Sequence, residues 1–408
     1  MHDNAFSLTR VRLRHYRSIA EADVELGRLV LLVGPNGSGK SNFLDALRLV
    51  AESLQTSLDQ AFRSRGGVGE VRRRSTGHPT RFSIDLDFRG IGYEGEYGFE
   101  VAAVHGGGFR ISRENCGVRY DSGGRDGNRH AESRFRVESG RLVDQSESVM
   151  PPVSEQRLYL VSAAGLEGFR PVFDGLAGIS VFNVNPDVMR QPQTPDSGAF
   201  LHRDGSNIAS VLHRLQRSQG GRADKSRIED YLQLIVPGMH GVSRSDLGNW
   251  ETLEFAQEVP GAKSPWCFQA HSVSDGTLRA LGVLVSLFAG TGQTLSTVGI
   301  EEPESALHPA AAGVLLDALR DAGERRQVIV TSHSPDLLDR SDFDLSELRA
   351  VRSVGGETHI GELDAAGALA VREGLCTPGE LLRSDRLLPT ASPCRGVGGQ
   401  GGSMNSVA

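Results

Sequence analysis

Four cysteines are spread through 408 residues, and Cys116, Cys267, Cys376 and Cys394 make no CxxC pair. Neither a zinc site nor a disulfide framework follows from them. The longest apolar stretch, around Leu278 to Ala289, falls short of the ~18 residues that suggest a membrane span. Residues Met1 to Thr9 lack the basic start and apolar core of a signal peptide. These absences give the expectation of a soluble, cytoplasmic protein with reduced thiols and no membrane partner. An excess of positive charge is missing too: 44 Lys and Arg stand against 51 Asp and Glu, a net charge of −7. The whole-molecule field therefore does not advertise a nucleic-acid binder, and any DNA contact has to come from a local basic patch. There is no internal repeat and no heptad series long enough for a coiled coil.

What is present is material for a core and many turns. Hydrophobic residues make up 38% of the chain, with 50 glycines and 17 prolines. At ~150 residues per domain the length allows two or three lobes. Arg10 to His15 and Val24 to Leu26 alternate as strands do, and Leu29 to Val33 is the continuous apolar run of a buried strand. Phe43, Leu44, Leu47, Val50, Ala51 and Leu54 then fall at helical spacing. Short alternating runs at Arg81 to Phe88, Tyr93 to Val104, Phe109 to Ser112 and Arg134 to Val143 read as a β-rich insert of hairpins. Helices are expected at Asn207 to Gln216, Ala223 to Val236 and Ala310 to Arg320, and buried runs at Leu278 to Phe288, Val298 to Ile300 and Val328 to Val330. This gives an N-terminal segment 1–65, the insert 66–156, a helical or mixed lobe 157–271, a C-terminal segment 272–387 and a disordered tail 388–408.

The strongest motif is Gly34-Pro35-Asn36-Gly37-Ser38-Gly39-Lys40-Ser41, a full G-x-x-x-x-G-K-S match between a strand and a helix. Its glycines let backbone N–H groups converge on phosphates, and the helix N-terminus adds its positive end. Lys40 is placed to reach the β- and γ-phosphates, and the Ser41 hydroxyl to ligate Mg²⁺. A nucleotide with Mg²⁺ is the expected ligand. Downstream, Thr297 to Glu302 reads as an apolar strand ending in two acids. Glu301 is placed to hold the Mg²⁺ shell and Glu302 to orient or deprotonate water. Val328 to Ser332 is a second strand, ending at His333, 31 residues beyond Glu302. That interval fits one βαβ crossover, which sets Glu302 and His333 at one sheet edge. Ser274-Asp275-Gly276-Thr277 precedes a helix. Read alone it is a helix cap before it is an anion site.

In this order the parts resemble an ABC-type P-loop NTPase head, an α/β fold with a β-rich insert and a helical signature lobe. They are similar to the RecF/SMC-like soluble ABC-type ATPases, and in particular to small AAA-family members with a Ser-Asp-Gly-Thr signature. The likeness is carried by Arg12 to Leu26, by the phosphate loop with Asn42 and Asp45-Ala46, and by Ser274 to Arg279. Asn185 to Arg190, Asp204 to Asn207 with Val211-Leu212, and Thr377 to Leu382 add to it. The resemblance implies ATP hydrolysis in a head-to-head homodimer. Ser274, Asp275, Gly276 and Thr277 of one copy would meet the nucleotide held by Gly34 to Asn42 of the other, with Glu302 and His333 catalytic and Ser41 and Glu301 on the metal. Glu301 stands where the wider superfamily has aspartate, and Gln156 is the candidate for the usual glutamine loop. The chain has no room for the long coiled coil of SMC proteins. Nothing beyond His333 looks like a nuclease metal site. DNA repair, recombination or anti-phage defence is the expected setting, with double-stranded DNA met through Arg10, Arg12, Arg14, Arg17, Arg63, Arg65, Arg72, Arg73 and Arg74. The alternative is a regulatory ATPase that gates a separate effector protein, a nuclease or a toxin.

Overall fold

The computed structural model describes residues 6–74, 79–104, 106, 108–121, 132–290, 295–340 and 342–390. In chain order the strands are β1 (Phe6–Tyr16), β2 (Ile19–Glu25), β3 (Leu29–Val33), β4 (Arg81–Gly90), β5 (Tyr93–Ala103), β6 (Phe109–Tyr120), β7 (Glu132–Glu138) and β8 (Arg141–Gln145). They continue as β9 (Ile179–Phe182), β10 (Met239–Leu247), β11 (Trp250–Gln257), β12 (Trp266–Gln269), β13 (Thr297–Glu301), β14 (Gln327–Ser332), β15 (Leu348–Val354) and β16 (Glu357–Gly361).

Two large sheets share the core. The first is antiparallel in the order β2-β1-β4-β5-β6-β7-β8, and the second runs β16-β15-β3-β14-β13-β9 with its central pairs parallel. Alternation explains how β3 serves both faces: Val30 and Leu32 pack toward the first sheet and the helix Lys40–Gln55. Leu29, Leu31 and Val33 pack toward the helices Asp275–Phe288 and Ala312–Arg325. A strand buried on both faces has to be apolar throughout, as Leu29–Val33 is.

The chain divides differently from the sequence expectation. β1 pairs with β4 across the expected boundary at 65/66, so the hairpin β1–β2 belongs to the same sheet as the insert. β9 lies within the expected lobe 157–271 but pairs in parallel with β13. The rest of that lobe is mixed: helices Ile208–Arg217 and Gln219–Ile235 pack beside the small antiparallel sheet β10-β11-β12. Arg134 to Val143 is a hairpin, not one run, because Ser139 (φ 46°) and Gly140 (φ 75°) turn the chain between β7 and β8. Residues 388–390 are ordered, with Thr390 N donating to Glu362 O at 2.7 Å; the remainder of the expected tail lies outside the described residues. No helix among the described residues is long and apolar enough to cross a membrane.

Candidate functional site

The three central strands of the parallel sheet end together. Ser332 pairs with Val33 on one side of β14, and Thr331 pairs with Glu301 on the other. The C-terminal ends of β3, β14 and β13 therefore deliver the loop 34–39, His333 and the acid pair to one edge, where open α/β sheets bind ligands.

The loop itself is held closely. Gly34 N donates to Ser332 O at 3.3 Å. Gly39 sits at φ 100°, and a Cβ there would lie 2.0 Å from Thr358 Oγ1, so no other residue fits. Thr358, on β16, donates to Ser38 O at 2.9 Å and shares a 2.7 Å hydrogen bond with Ser18 Oγ. Asn42 Nδ2 donates to the same Ser18 Oγ at 2.6 Å. Lys40 is buried, and its Nζ donates to Gly34 O (2.8 Å) and Pro35 O (2.9 Å). Burial presses the ammonium below the usual lysine value, while Glu302 and Glu304 act to hold it up. Pro35, Asn36, Gly37 and Ser41 are exposed at the mouth.

Three observations fit this loop to a nucleotide phosphate. The buried Ser38 Oγ has no hydrogen-bond partner. The helix Lys40–Gln55 starts with no side-chain cap, and its first turn carries no acid. Orphan N–H groups at such a terminus favour an anion. Among the described residues no group of three or more His, Cys, Asp or Glu is arranged to hold a metal by itself. That is the ordinary situation for Mg²⁺, which takes one or two protein oxygens plus phosphate and water.

The acid loop is strained. Glu302 has φ 46° and Ala306 φ 65°, uncommon for residues with side chains and concentrated at functional sites. Glu302 N donates to Thr331 O at 2.9 Å, and Glu302 Oε1 lies 3.5 Å from His333 Nδ1. Glu301 is ion-paired with Arg203 at 2.7 Å. Arg279, from the helix that follows the 274–277 segment, donates to Glu301 O (3.0 Å), Glu302 O (2.8 Å) and Val184 O (2.6 Å). Ser274 is the N-cap of that helix, accepting from Thr277 N at 3.2 Å, and Asp275 pairs with Arg190. Gly276 lies so close to the acid loop that a Cβ would be 2.5 Å from Ala306 O. Among the described residues no hydrogen bond joins 274–277 to the loop 34–42 of the same chain.

Two residues were not singled out by sequence reasoning. Glu304 Oε1 accepts from Ser332 Oγ (2.6 Å) and from His333 N (3.2 Å), and so fixes the histidine-bearing turn. Thr358 braces the phosphate loop from 320 residues away. Their only local signals were adjacency to the acid pair and a polar residue in a short strand. Gln156 lies in an exposed turn after β8, with its N–H donating to Ser154 Oγ. On the side away from β14 the neighbour of β13 is β9, so the strand-end position there belongs to Asn183 to Asn185.

The arginines expected to meet DNA are already engaged. Arg10 pairs with Asp23, Arg12 with Asp87, Arg14 with Glu21 and Arg17 with Asp45. Arg63 pairs with Asp59, Arg65 with Asp45, Arg73 with Glu357 and Arg74 with Glu70, while Arg72 donates to Pro79 O. The sheet face carries alternating signs rather than a positive stripe.

With this geometry in view, a family model described as "AAA domain, putative AbiEii toxin, Type IV TA system" matches residues 29–132 and 266–339. Those two stretches hold the phosphate loop, the 274–277 segment, the acid pair and His333. In motifs and in fold the chain is similar to the RecF/SMC-like ABC-type ATPase heads. The "DNA replication and repair protein RecF" of Magnetococcus marinus is 40% identical over 83 residues, 18% of this chain and 22% of that protein. The "OLD nuclease" of Thermus scotoductus is 24% identical over 371 residues, 85% of this chain and 62% of that protein. The chain thus spans less than two thirds of either relative. An SMC head solved with the C-winged helix domain of ScpA superposes with a TM-score of 0.53 at 13% identity, covering 89% of this chain and 99% of that one. The Pyrococcus furiosus SMC head with an extended coiled coil and the C-terminal domain of ScpA gives 0.52 at 10% identity, covering 91% and 99%. At such identities the two structures speak for the fold.

Proposed function

We propose that this ATPase head binds ATP with Mg²⁺, hydrolyses it to ADP and phosphate, and uses the cycle as an association switch. The observation that carries the reading is the meeting of Lys40, Glu302 and His333 at the ends of three adjacent strands. Lys40 and the loop N–H groups neutralise the β- and γ-phosphates, and Ser41 and Glu301 hold the metal, which supplies charge compensation on the phosphate oxygens. Glu302 orients the attacking water and takes its proton. His333, 3.5 Å from Glu302, faces the γ-phosphate. Ser274 and Gly276 are free of their own loop, so their partner is the nucleotide of a second copy. Only ATP offers the contacts that the closed dimer uses, which makes dimerisation a population shift.

The paired arginines favour a protein over DNA as the recipient of the switch. Ion pairs at Arg10, Arg12 and Arg14 leave little positive potential for backbone phosphates. The reading is therefore a regulatory ATPase that gates a separate effector, in repair, recombination or defence against foreign DNA. The test uses Lys40→Ala and Glu302→Gln. Lys40→Ala is expected to lose nucleotide binding, and Glu302→Gln to bind ATP, hydrolyse it far more slowly and sediment as a dimer. Tight ATP binding by Lys40→Ala, or unchanged turnover in Glu302→Gln, would overturn the site. Steeply salt-dependent DNA binding by the ATP-bound Glu302→Gln dimer would return the recipient to DNA.

A further inference from the structure

Glu301, assigned above to the metal, is held by a cation of its own chain. Arg203 Nη2 donates to Glu301 Oε1 at 2.7 Å. No other side-chain cation pairs with that carboxylate among the described residues; Arg279 reaches only the Glu301 backbone oxygen. Arg203 sits on a turn built to hold it there. Asn183 N donates to Arg203 O at 2.9 Å, and Asn185 N donates to Asp204 O at 3.0 Å, tying the turn to the end of β9. Asp204 Oδ1 accepts from Ser206 N at 3.0 Å, and Asn207 Oδ1 accepts from His202 N at 2.8 Å. The turn backbone is thus fixed at its middle and its end, and only the arginine side chain is free to leave.

Arg203 holds one oxygen of Glu301, and Mg²⁺ on the same carboxylate would set two cations against one anion. Mg²⁺ ligates at about 2.0–2.1 Å and repels a neighbouring cation. That repulsion weakens the ion pair, and exposure decides which of its partners, Arg203 or Glu301, moves away. The Arg203 side chain is 43% exposed, whereas that of Glu301 is 16% exposed and lies at the end of a core strand. The guanidinium is able to withdraw into water without burying its charge, and the carboxylate has no such exit.

We propose that Arg203 is a displaceable counter-ion of Glu301, holding the metal-ligating carboxylate until Mg²⁺ arrives with nucleotide and then giving it up. Arg203 is a positioning residue in this scheme. It keeps the acid oriented and neutralised between turnovers, and its release marks metal loading on the surface beside β9. The proposal rests on Glu301 being a metal ligand.

The test reads metal binding directly. Free Mn²⁺ is followed by electron paramagnetic resonance as Mn²⁺ is titrated into wild type, Arg203→Gln, Arg203→Lys and Glu301→Gln with a non-hydrolysable ATP analogue. Arg203→Gln removes the competitor and is expected to bind Mn²⁺ about three- to tenfold more tightly, the range for a half-buried, charge-assisted pair. Arg203→Lys keeps the charge and is expected near wild type. Glu301→Gln is expected to lose nucleotide-dependent Mn²⁺ binding. Unchanged or weaker Mn²⁺ binding in Arg203→Gln, with wild type binding normally, would overturn the counter-ion role alone. Wild type that takes up no Mn²⁺ with the nucleotide would overturn the nucleotide reading, and this proposal with it.

Discussion

Glu304 holds His333 from behind: one carboxylate oxygen accepts both the His333 backbone N–H at 3.2 Å and the Ser332 hydroxyl at 2.6 Å. Glu304 is 8% exposed, so this anchor works with little competition from water. It sits two residues past Glu302, across a backbone strained at Glu302, and so links the base to the histidine through the loop as well as through the 3.5 Å approach.

Glu304→Ala is therefore expected to slow turnover more than it weakens binding. A histidine displaced by a fraction of an ångström costs between about tenfold and a hundredfold in rate, while the phosphate loop stays intact. Glu304→Gln keeps an acceptor oxygen and is expected to recover most of the rate. Fluorescent-nucleotide titration beside steady-state turnover separates the two effects. A Glu304→Ala protein with wild-type kcat would remove Glu304 from the site.

Thr358 invites the converse experiment. Its hydroxyl donates to Ser38 O and bonds Ser18, and the residue is 2% exposed. Thr358→Val keeps the shape and removes only the hydroxyl, at a stability cost of about 1 kcal/mol. With Ser38 O released, the phosphate cradle loosens before any catalytic group is touched. The expected result is an ATP dissociation constant raised roughly fivefold, with kcat at saturation nearly unchanged. A drop in kcat at constant affinity would contradict the bracing role.

Glu114 gives a pH prediction away from the site. It is buried in β6 and accepts from Tyr159 N (2.6 Å), Leu160 N (2.9 Å) and Tyr97 Oη (3.1 Å). Burial outweighs these donors and pushes its carboxyl up to about 7. The folded state thus holds its proton more tightly than the unfolded chain. Stability from Glu114 is fully present below the ordinary glutamate value and is lost as pH rises toward 7, a swing on the order of 3 kcal/mol. Glu114→Gln cannot titrate. Urea unfolding of both proteins from pH 4.5 to 7 is expected to show wild type losing ground to the variant as pH rises. Parallel curves would mean that Glu114 is ionised throughout.

Local pattern and long-range pairing explain what the sequence showed and hid. Leu29–Val33, the loop 34–41 and the two strand-end motifs at Glu302 and His333 are written locally, in apolar runs and fixed spacings, and the fold brings them together as expected. Arg203 meets Glu301 across 98 residues and Thr358 meets Ser38 across 320. No periodicity encodes such contacts. The joining of β1 to β4 was hidden for the same reason: alternation marks a strand but does not name its neighbour. β9, only four residues long, was too short to stand out, and with it the strand-end residues Asn183 to Asn185.

The dimer reading meets its sharpest test at Ser274. Its side chain caps the helix Asp275–Phe288 by accepting from Thr277 N at 3.2 Å, and its surface is exposed. A substitution that destroyed the cap would cost about 1 kcal/mol and confuse lost folding with a lost interface. Aspartate caps a helix as well as serine does, yet it would set a carboxylate against the γ-phosphate of the second copy. Ser274→Asp is thus expected to keep the wild-type Tm and bind ATP as a monomer, but to form no ATP-dependent dimer in the Glu302→Gln background. Ser274→Arg should fail to dimerise as well, through bulk in place of charge. Sedimentation of both with ATP and Mg²⁺ decides the matter. A normal dimer from Ser274→Asp would leave the segment as a helix cap and nothing more.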